Sequence, residues 1–288
     1  MRNGILLLML MLPGAPALAS PMSLQCQFNG RAKEGCFRKY SCAVSAVLRP
    51  QENESEEDLL SLKSSEWVSV KCTDGFQLFT KQSKEISLAT DGENFTFGFN
   101  LSDSSGMTQG SLGWDVGPVR PSEIPPGKFP ASFAFSPVTP HSYVLAGDCV
   151  LADMPVLEDS AVFQCGFTRE TGAFHTKEAC SLMGMVSNHA IEQVFLAQCT
   201  NGFSATSTLA SGLKLQHPTP GSTDWHLGTN LVDSRGTSVA NFDWNVGPME
   251  PTGSIQSGIF EADFGIGAHS FNQPSFLGEC NISSSTGA

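Results

Sequence analysis

The sequence predicts an all-β protein made of two tandem, internally duplicated domains, each an antiparallel β-barrel or β-sandwich tied by disulfide bonds. Three observations predict this class. A segment of domain size occurs twice, the cysteines fall at matching places in both copies, and most apolar residues lie in short runs bounded by Gly, Pro, Asn, Asp and Ser. Short runs with such boundaries are typical of strands joined by turns. The choice between barrel and sandwich stays open, although a bond joining the first strand to the last favours the barrel.

The duplication is carried by two motifs. The segment 98–106 (Gly-x-Asn-Leu-x-Asp-Ser-x-Gly) returns at 228–236, and the segment 114–118 (Trp-Asp-Val-Gly-Pro) returns at 244–248 as Trp-Asn-Val-Gly-Pro. Both recur after 130 residues. Since solenoid units repeat about every 20–50 residues, this longer period indicates a duplicated domain.

The first copy contains strand-like segments throughout its length. They lie near 23–29, 40–48, 66–72, 76–80, 85–89, 94–101, 108–115, 129–135 and 142–151. Corresponding segments follow in the second copy. The expected organisation is therefore a β domain over 20–151, a linker over 152–159 with Pro155 near its middle, and a second β domain over 160–288.

The N-terminus, residues 1–19, predicts a cleaved signal peptide. Arg2 supplies the positive charge, residues 5–12 the apolar core, and Ala17-Leu-Ala19 a small-residue cleavage site after Ala19. The apolar core is shorter than the roughly 20 residues that span a bilayer. We therefore expect a periplasmic or secreted protein without a membrane span.

The chain is acidic, with 28 Asp and Glu against 16 Lys and Arg and a formal net charge of −12. Such a surface repels phosphate backbones, so we expect no nucleic-acid partner. The charge allows a cationic partner without requiring one. It therefore leaves a protein or a small ligand as the expected partner class.

Eight of the nine cysteines match between the copies, and the second copy gives a geometric argument for their pairing. Cys180 and Cys199 flank two apolar segments, 182–186 and 191–197, joined around 187–190. If these segments form a tight hairpin, both cysteines lie equally far from its centre and face each other. Opposed strand residues have Cα atoms about 4.5–5.5 Å apart, within the reach of a disulfide. This predicts Cys180–Cys199.

The repeat extends this pairing to the first copy as Cys42–Cys72. The cysteines that remain would then pair as Cys26–Cys149 and Cys165–Cys280, joining the first strand of each domain to its last. Cys36 has no counterpart in the second copy. Its state stays open, whether free, bonded to another chain, or bonded to Cys42 in place of Cys72.

The most specific shared motif is interpreted as structural. It comprises Trp114, Gly117 and Pro118 in the first copy and Trp244, Gly247 and Pro248 in the second. A core Trp at the end of a strand, followed by a turn, explains this pattern. The functional alternative is a Trp that stacks on a ligand. The Asp-Ser-x-Gly segments 103–106 and 233–236 likewise predict hairpin turns, since Asp and Ser bond nearby amides and Gly supplies a positive φ.

No cofactor or metal motif is present, and we expect neither group. The histidines form no His-x-x-x-His or Cys/His zinc spacing. Convergence of His217, His226 and His269 on a metal stays an unsupported alternative. Nucleophile elbows, phosphate-binding glycine loops and Cys-x-x-Cys pairs are also missing. Four Asn-x-Ser/Thr sequences, at Asn53, Asn94, Asn100 and Asn281, match the glycosylation pattern without deciding whether it is used.

The expected function is that of an exported, non-enzymatic binding or interaction module. Two alternatives stay open. The first is an inhibitor of a secreted enzyme, which would use the acidic insert Glu52–Asp58, present only in the first copy. The second is a hydrolase whose Asp, Glu and His residues come from distant loops, because such a site leaves no motif in one sequence.

Overall fold

Antiparallel strands make up nearly all of the residues that the computed structural model describes. The structure describes residues 22–31, 39–50, 62–91, 94–103, 105–117, 126–135, 143–154, 160–171, 176–187, 193–209, 214–216, 225–233, 235–247, 257–267 and 275–284. The predicted all-β class, with two tandem domains tied by disulfides, is confirmed.

The first copy forms a closed barrel in which strands adjacent in sequence are adjacent in space. Its strands are β1 (Met22–Arg31), β2 (Lys39–Pro50), β3 (Leu62–Cys72), β4 (Gln77–Asp91), β5 (Asn94–Ser102), β6 (Thr108–Gly117), β7 (Gly127–Phe135) and β8 (Tyr143–Asp153). Pairing of β8 with β1 closes the sheet. The predicted separation of segments 76–80 and 85–89 is wrong, because residues 77–80 and 85–89 belong to a single strand, β4, which pairs with both β3 and β5.

The second copy repeats this arrangement with one difference. Its strands are β9 (Ser160–Thr171), β10 (Thr176–Ser187), β11 (Gln193–Cys199), β12 (Ser204–Leu209), β13 (Lys214–Gln216), β14 (Trp225–Val232), β15 (Ser238–Gly247), β16 (Gly258–Ile266) and β17 (Phe276–Ser284). The strands β12 and β13 together take the place of β4, because β12 pairs with β11 and β13 pairs with β14. Pairing of β17 with β9 joins the first strand of the domain to its last.

Each sheet encloses a hydrophobic core of its own. Trp114 and Trp244 lie inside these cores, 2% and 0% exposed. Gly117 ends β6 with a φ of 74°, and Gly247 ends β15. Pro118 and Pro248 lie outside the described residues.

Four disulfides lie within the cores, with the partners that the hairpin argument gives. They are Cys26–Cys149, Cys42–Cys72, Cys165–Cys280 and Cys180–Cys199. In each pair the two cysteines face each other on neighbouring strands. Four such bonds are consistent with an extracellular or periplasmic protein. Cys36 lies outside the described residues.

The repeated Asp-Ser-x-Gly segments form hairpin turns in both copies. The carboxylate of Asp103 accepts the backbone N–H of Ser105 at 2.9 Å and that of Met107 at 3.1 Å. Asp233 accepts the corresponding N–H groups of the second copy. Gly106 and Gly236 have φ values of 83° and 79°. These carboxylates are therefore occupied in holding the turn.

The two domains pack together through a third apolar cluster, which the sequence analysis did not anticipate. Outer faces of β1–β3 lie against outer faces of β9–β11. The junction cluster consists of Val47, Trp67, Met154, Val162, Met183, Met185, Val194 and Leu196. As a result β11 is buried along its whole length. The apolar run over 194–197 follows from burial on both faces rather than one.

Candidate functional site

A cleft of about 610 Å³ lies on the outer face of the second sheet, beside the first domain. We refer to it as the acidic cleft. Its floor is formed by β14, β15, β16 and β17, and its wall by residues from β3 and β4 of the first domain. The volume falls within the range of roughly 300–1,000 Å³ that small-molecule sites occupy.

The floor of the acidic cleft carries two rows of side chains that run across the strands. The aspartate row contains Asp243, Asp263 and Leu277, which face one another on β15, β16 and β17. The residues next to these in sequence, Trp244, Phe264 and Phe276, point inward and belong to the core. Residues two apart on a strand share a face, so the aspartate row points outward.

The second row lies two residues along the same strands. This glutamate row contains Glu261 and Glu279, which are paired across β16 and β17, together with Asn245 and His226, which are paired across β15 and β14. Successive positions on one face of a strand are about 6.6 Å apart. Four carboxylates therefore share a patch of sheet only two residues deep.

A glycine makes room for one of these carboxylates. Gly228 faces Asp243 across β14 and β15. A Cβ atom on Gly228 would lie 1.9 Å from Oδ1 of Asp243. The carboxylate thus lies over the glycine backbone, and any other residue at 228 would displace it.

The electrostatics of the floor favour a protonated carboxyl at one position. The pKa of Asp263 is raised above its ordinary value of 3.8, first by burial and then by the charges of Asp243 and Glu261. The charge of His226 acts in the opposite direction. Burial and the neighbouring carboxylates therefore favour the protonated form of Asp263.

The wall of the cleft comes from the other domain. Lys71 at the end of β3 and Gln77 at the start of β4 pack over Gly166 of β9. A Cβ atom on Gly166 would lie 2.9 Å from Oε1 of Gln77 and 3.0 Å from Cδ of Lys71. Nζ of Lys71 donates a hydrogen bond to Oε1 of Gln77. Burial lowers the pKa of Lys71, while Glu279 and Asp74 act to raise it.

The first copy has no equivalent of the aspartate row. Counterparts of Asp243, Asp263 and Leu277, read from the shared strand register, are Gly113, Ser132 and Ala146. The acidic floor is thus a feature of one copy only.

At positions equivalent to the glutamate row the first copy carries two carboxylates, and each of them has a partner within the first domain. Asp148, the counterpart of Glu279, forms an ion pair with Lys128 at 2.9 Å. Asp115, the counterpart of Asn245, accepts a hydrogen bond from Oγ1 of Thr96 at 2.6 Å. This face of the first domain therefore provides a natural control for the acidic cleft.

Of the predicted candidates, only His226 reaches the acidic cleft. His217 and His269, like the acidic insert Glu52–Asp58, lie outside the described residues. Sequence reasoning missed the four carboxylates and Lys71. Alignment of the two copies contained a usable signal, because Gly113 and Ser132 are replaced by Asp243 and Asp263 at otherwise matching positions.

The described residues contain neither a metal-binding cluster nor a membrane-spanning helix. No group of three or more His, Cys, Asp or Glu side chains among them has an arrangement that could hold a metal ion. None of their secondary structure is a helix long and apolar enough to cross a membrane.

Comparison with known proteins finds likeness in structure only. No protein-family model and no curated protein matches the sequence. A candidate AttH from Nitrosomonas europaea is 6% identical, with a TM-score of 0.30 over 92% of this chain and 92% of that one. Kievitone hydratase from Nectria haematococca is 10% identical, with a TM-score of 0.33 over 93% of this chain and 90% of that one. At these scores neither activity is carried over to this chain.

Proposed function

We propose that this chain is an exported binding protein whose acidic cleft takes a small cationic ligand. The observation that carries the proposal is the pairing of Asp243 with Asp263 and of Glu261 with Glu279 in adjacent rows. Lys71 and His226 are the cationic or titratable basic side chains described at the same cleft. A ligand with one or more ammonium or guanidinium groups complements this excess of carboxylates.

The energetics support a ligand role over a structural one. Like charges placed directly opposite each other on neighbouring strands destabilise a sheet. The first copy folds in the same way with Gly113 and Ser132 at the aspartate positions. The acidic pairs are therefore unnecessary for the fold, and a bound cation would relieve their repulsion.

The test uses spermidine as the probe and isothermal titration calorimetry of the full chain at low salt. We expect binding that weakens several-fold in Asp243→Asn and in Glu261→Gln, because each change removes a charge and keeps the shape. Asp148→Asn on the first domain is the matched control and should leave the affinity unchanged. An affinity for spermidine that is unchanged in both cleft variants contradicts the proposal, and so does an affinity that falls equally in the control.

A second candidate function, hydrolysis, is favoured by one observation. Asp263 has a raised pKa and faces the carboxylate Asp243 across two strands. Two neighbouring carboxyl groups can divide the roles of general acid and general base when the pKa of one of them is raised. In that case Asp263 would protonate a leaving group and Asp243 would activate water.

The hydrolytic candidate is tested with nitrophenyl glycosides and nitrophenyl esters as substrates. Turnover should be lost in Asp263→Asn and in Asp243→Asn and should persist in Asp148→Asn. Turnover that survives both cleft variants excludes the assignment to this pair. The inhibitor alternative is tested separately by deleting residues 51–58 and measuring whether capture of a secreted enzyme is lost.

A further inference from the structure

Lys71 differs from the other lysines whose surroundings the structure describes. Lys128 and Lys177 have side chains 65% and 56% exposed and are paired with the carboxylates of Asp148 and Glu170. Lys71 is half-buried, and its aliphatic stem passes close to the Cα of Gly166. Its nitrogen donates to the neutral side chain of Gln77 rather than to a carboxylate.

The position of Lys71 places an amine on the wall of a cavity large enough for a small molecule. The stem fills the space that a side chain at residue 166 would occupy, so the amine is held by packing between the two domains. Lys71 and Asp263 both line the acidic cleft. An amine and a carboxyl group therefore border one cavity.

We propose that Lys71 binds a small aldehyde or ketone in the acidic cleft by forming an imine. Burial supports this role, because desolvation lowers the pKa of the amine and increases its neutral, nucleophilic fraction. Desolvated lysines in pockets are the ones that form Schiff bases with carbonyl ligands. The proposal is independent of the binding of cations described above.

The chemical step is balanced without an oxidant or a reductant. The lone pair of Nζ adds to the carbonyl carbon, the carbonyl oxygen takes up a proton, and Nζ loses one, which gives a carbinolamine. A second proton, delivered by a cleft carboxyl such as Asp263, lets the hydroxyl group leave as water while the nitrogen lone pair forms the C=N bond. The resulting iminium ion then returns one proton to the carboxylate. One amine and one carbonyl compound thus give one imine and one water, and hydrolysis reverses the step.

The experiment traps the imine in the folded, full-length protein. Propanal is added with sodium cyanoborohydride, which reduces an imine to a stable secondary amine, and propylated peptides are quantified by mass spectrometry over time. We expect Lys71 to be propylated several-fold faster than Lys128 and Lys177. A lysine with only a structural role would react more slowly than these exposed lysines, because burial protects it.

Two variants make the outcome specific. Lys71→Arg keeps the positive charge and should abolish the fast adduct, with the thermal unfolding midpoint as the check on folding. Gln77→Glu keeps the size of the side chain but places a carboxylate beside the amine, so it should slow trapping at residue 71 while leaving Lys128 unchanged. Trapping of Lys71 at or below the rate of Lys128, or a fast adduct that persists in Lys71→Arg, overturns the proposal. Its failure would leave spermidine binding unaffected, so the two proposals are judged separately.

Discussion

Gln25 of β1 and Gln164 of β9 occupy equivalent positions in the two copies, and each donates its side-chain amide across the domain junction to two carbonyls. Gln25 reaches the carbonyls of Ala197 and Ala205 at 3.0 and 3.1 Å. Gln164 reaches those of Val68 and Thr80, both at 2.8 Å. Each glutamine thus bridges two residues that face each other on neighbouring strands.

The two bridges are similar but not identical. The counterparts of Ala197 and Ala205 in the first copy are Val70 and Leu78, whereas Gln164 bonds Val68 and Thr80. The contact is therefore displaced by two residues along each strand. A displacement of two preserves which side chains face the junction, since strands repeat every second residue.

The first prediction concerns the junction. Gln164→Leu should lower the free energy of unfolding by about 1–3 kcal/mol, because it removes two buried hydrogen bonds worth roughly 0.5–1.5 kcal/mol each. Urea denaturation with the disulfides intact measures this. Asn100→Ala, at an exposed position of β5, is the control and should change stability by less than about 0.5 kcal/mol. Equal changes in the free energy of unfolding for the two substitutions would show that the Gln164 bridge does not contribute to stability.

The second prediction concerns the glycines of the shared Gly-Asp/Glu-Cys motif. A Cβ atom on Gly147 would lie 1.9 Å from the carbonyl oxygen of Gln27, and one on Gly278 would lie 2.0 Å from that of Gly166. Backbone cannot move aside easily, so Gly147→Ala and Gly278→Ala should each cost about 1–3 kcal/mol or more.

Gly166→Ala is the comparison for these two variants. The atoms nearest to its Cβ would be side-chain atoms of Gln77 and Lys71, at 2.9 and 3.0 Å. These can shift more easily than backbone, so its cost should be smaller than that of the other two variants. Thermal unfolding of the three variants ranks them. A Gly166→Ala protein less stable than Gly278→Ala would contradict the assigned packing.

The third prediction compares disulfides that enclose loops of different length. Cys26–Cys149 spans 123 residues and Cys180–Cys199 spans 19. In the loop-entropy model, replacing the first pair by alanine should cost about 5 kcal/mol and replacing the second about 3 kcal/mol. Guanidinium denaturation of the two double variants tests the order. The reverse order would indicate that the hairpin bond, rather than closure of the barrel, limits unfolding.

The fourth prediction follows from the raised pKa of Asp263. A carboxyl whose pKa is higher in the folded protein favours folding while it is protonated, below its ordinary value of 3.8. That contribution is lost as the pH rises through the raised pKa. Asp263→Asn avoids the loss, so it should be more stable than the parent protein at neutral pH and equal to it in acid.

Asp103 gives a control of opposite sign. Its pKa is lowered, first by the hydrogen bond from Ser105 and then by that from Gln109. Stability from this group is present above its ordinary pKa and is lost as the pH falls through the lowered value. Asp103→Asn should therefore be less stable than the parent at neutral pH, with the difference vanishing in acid. Urea midpoints measured across the acid range test both variants, and a difference independent of pH in either would contradict the assignment.

The sequence by itself determined the duplication, the β class and the pairing of the cysteines. Each of these depends on spacing along one chain: Cys180 and Cys199 are equally far from the centre of a hairpin, so any regular hairpin brings them together. The single strand β4 was harder to predict. The residues in the middle of β4 are compatible with one long strand and equally with two short ones. In the second copy two short strands, β12 and β13, take the place of β4.

Only the tertiary structure decided which outer faces are buried and where the candidate site lies. Val162, Met183 and Leu196 form part of the domain junction, yet a continuous apolar run does not specify what covers its second face. Asp243 and Asp263 come from different strands, and Lys71 comes from the other domain. No local spacing relates these three residues. Strand register and domain packing bring them together, and both are long-range properties that one sequence does not encode in any short motif.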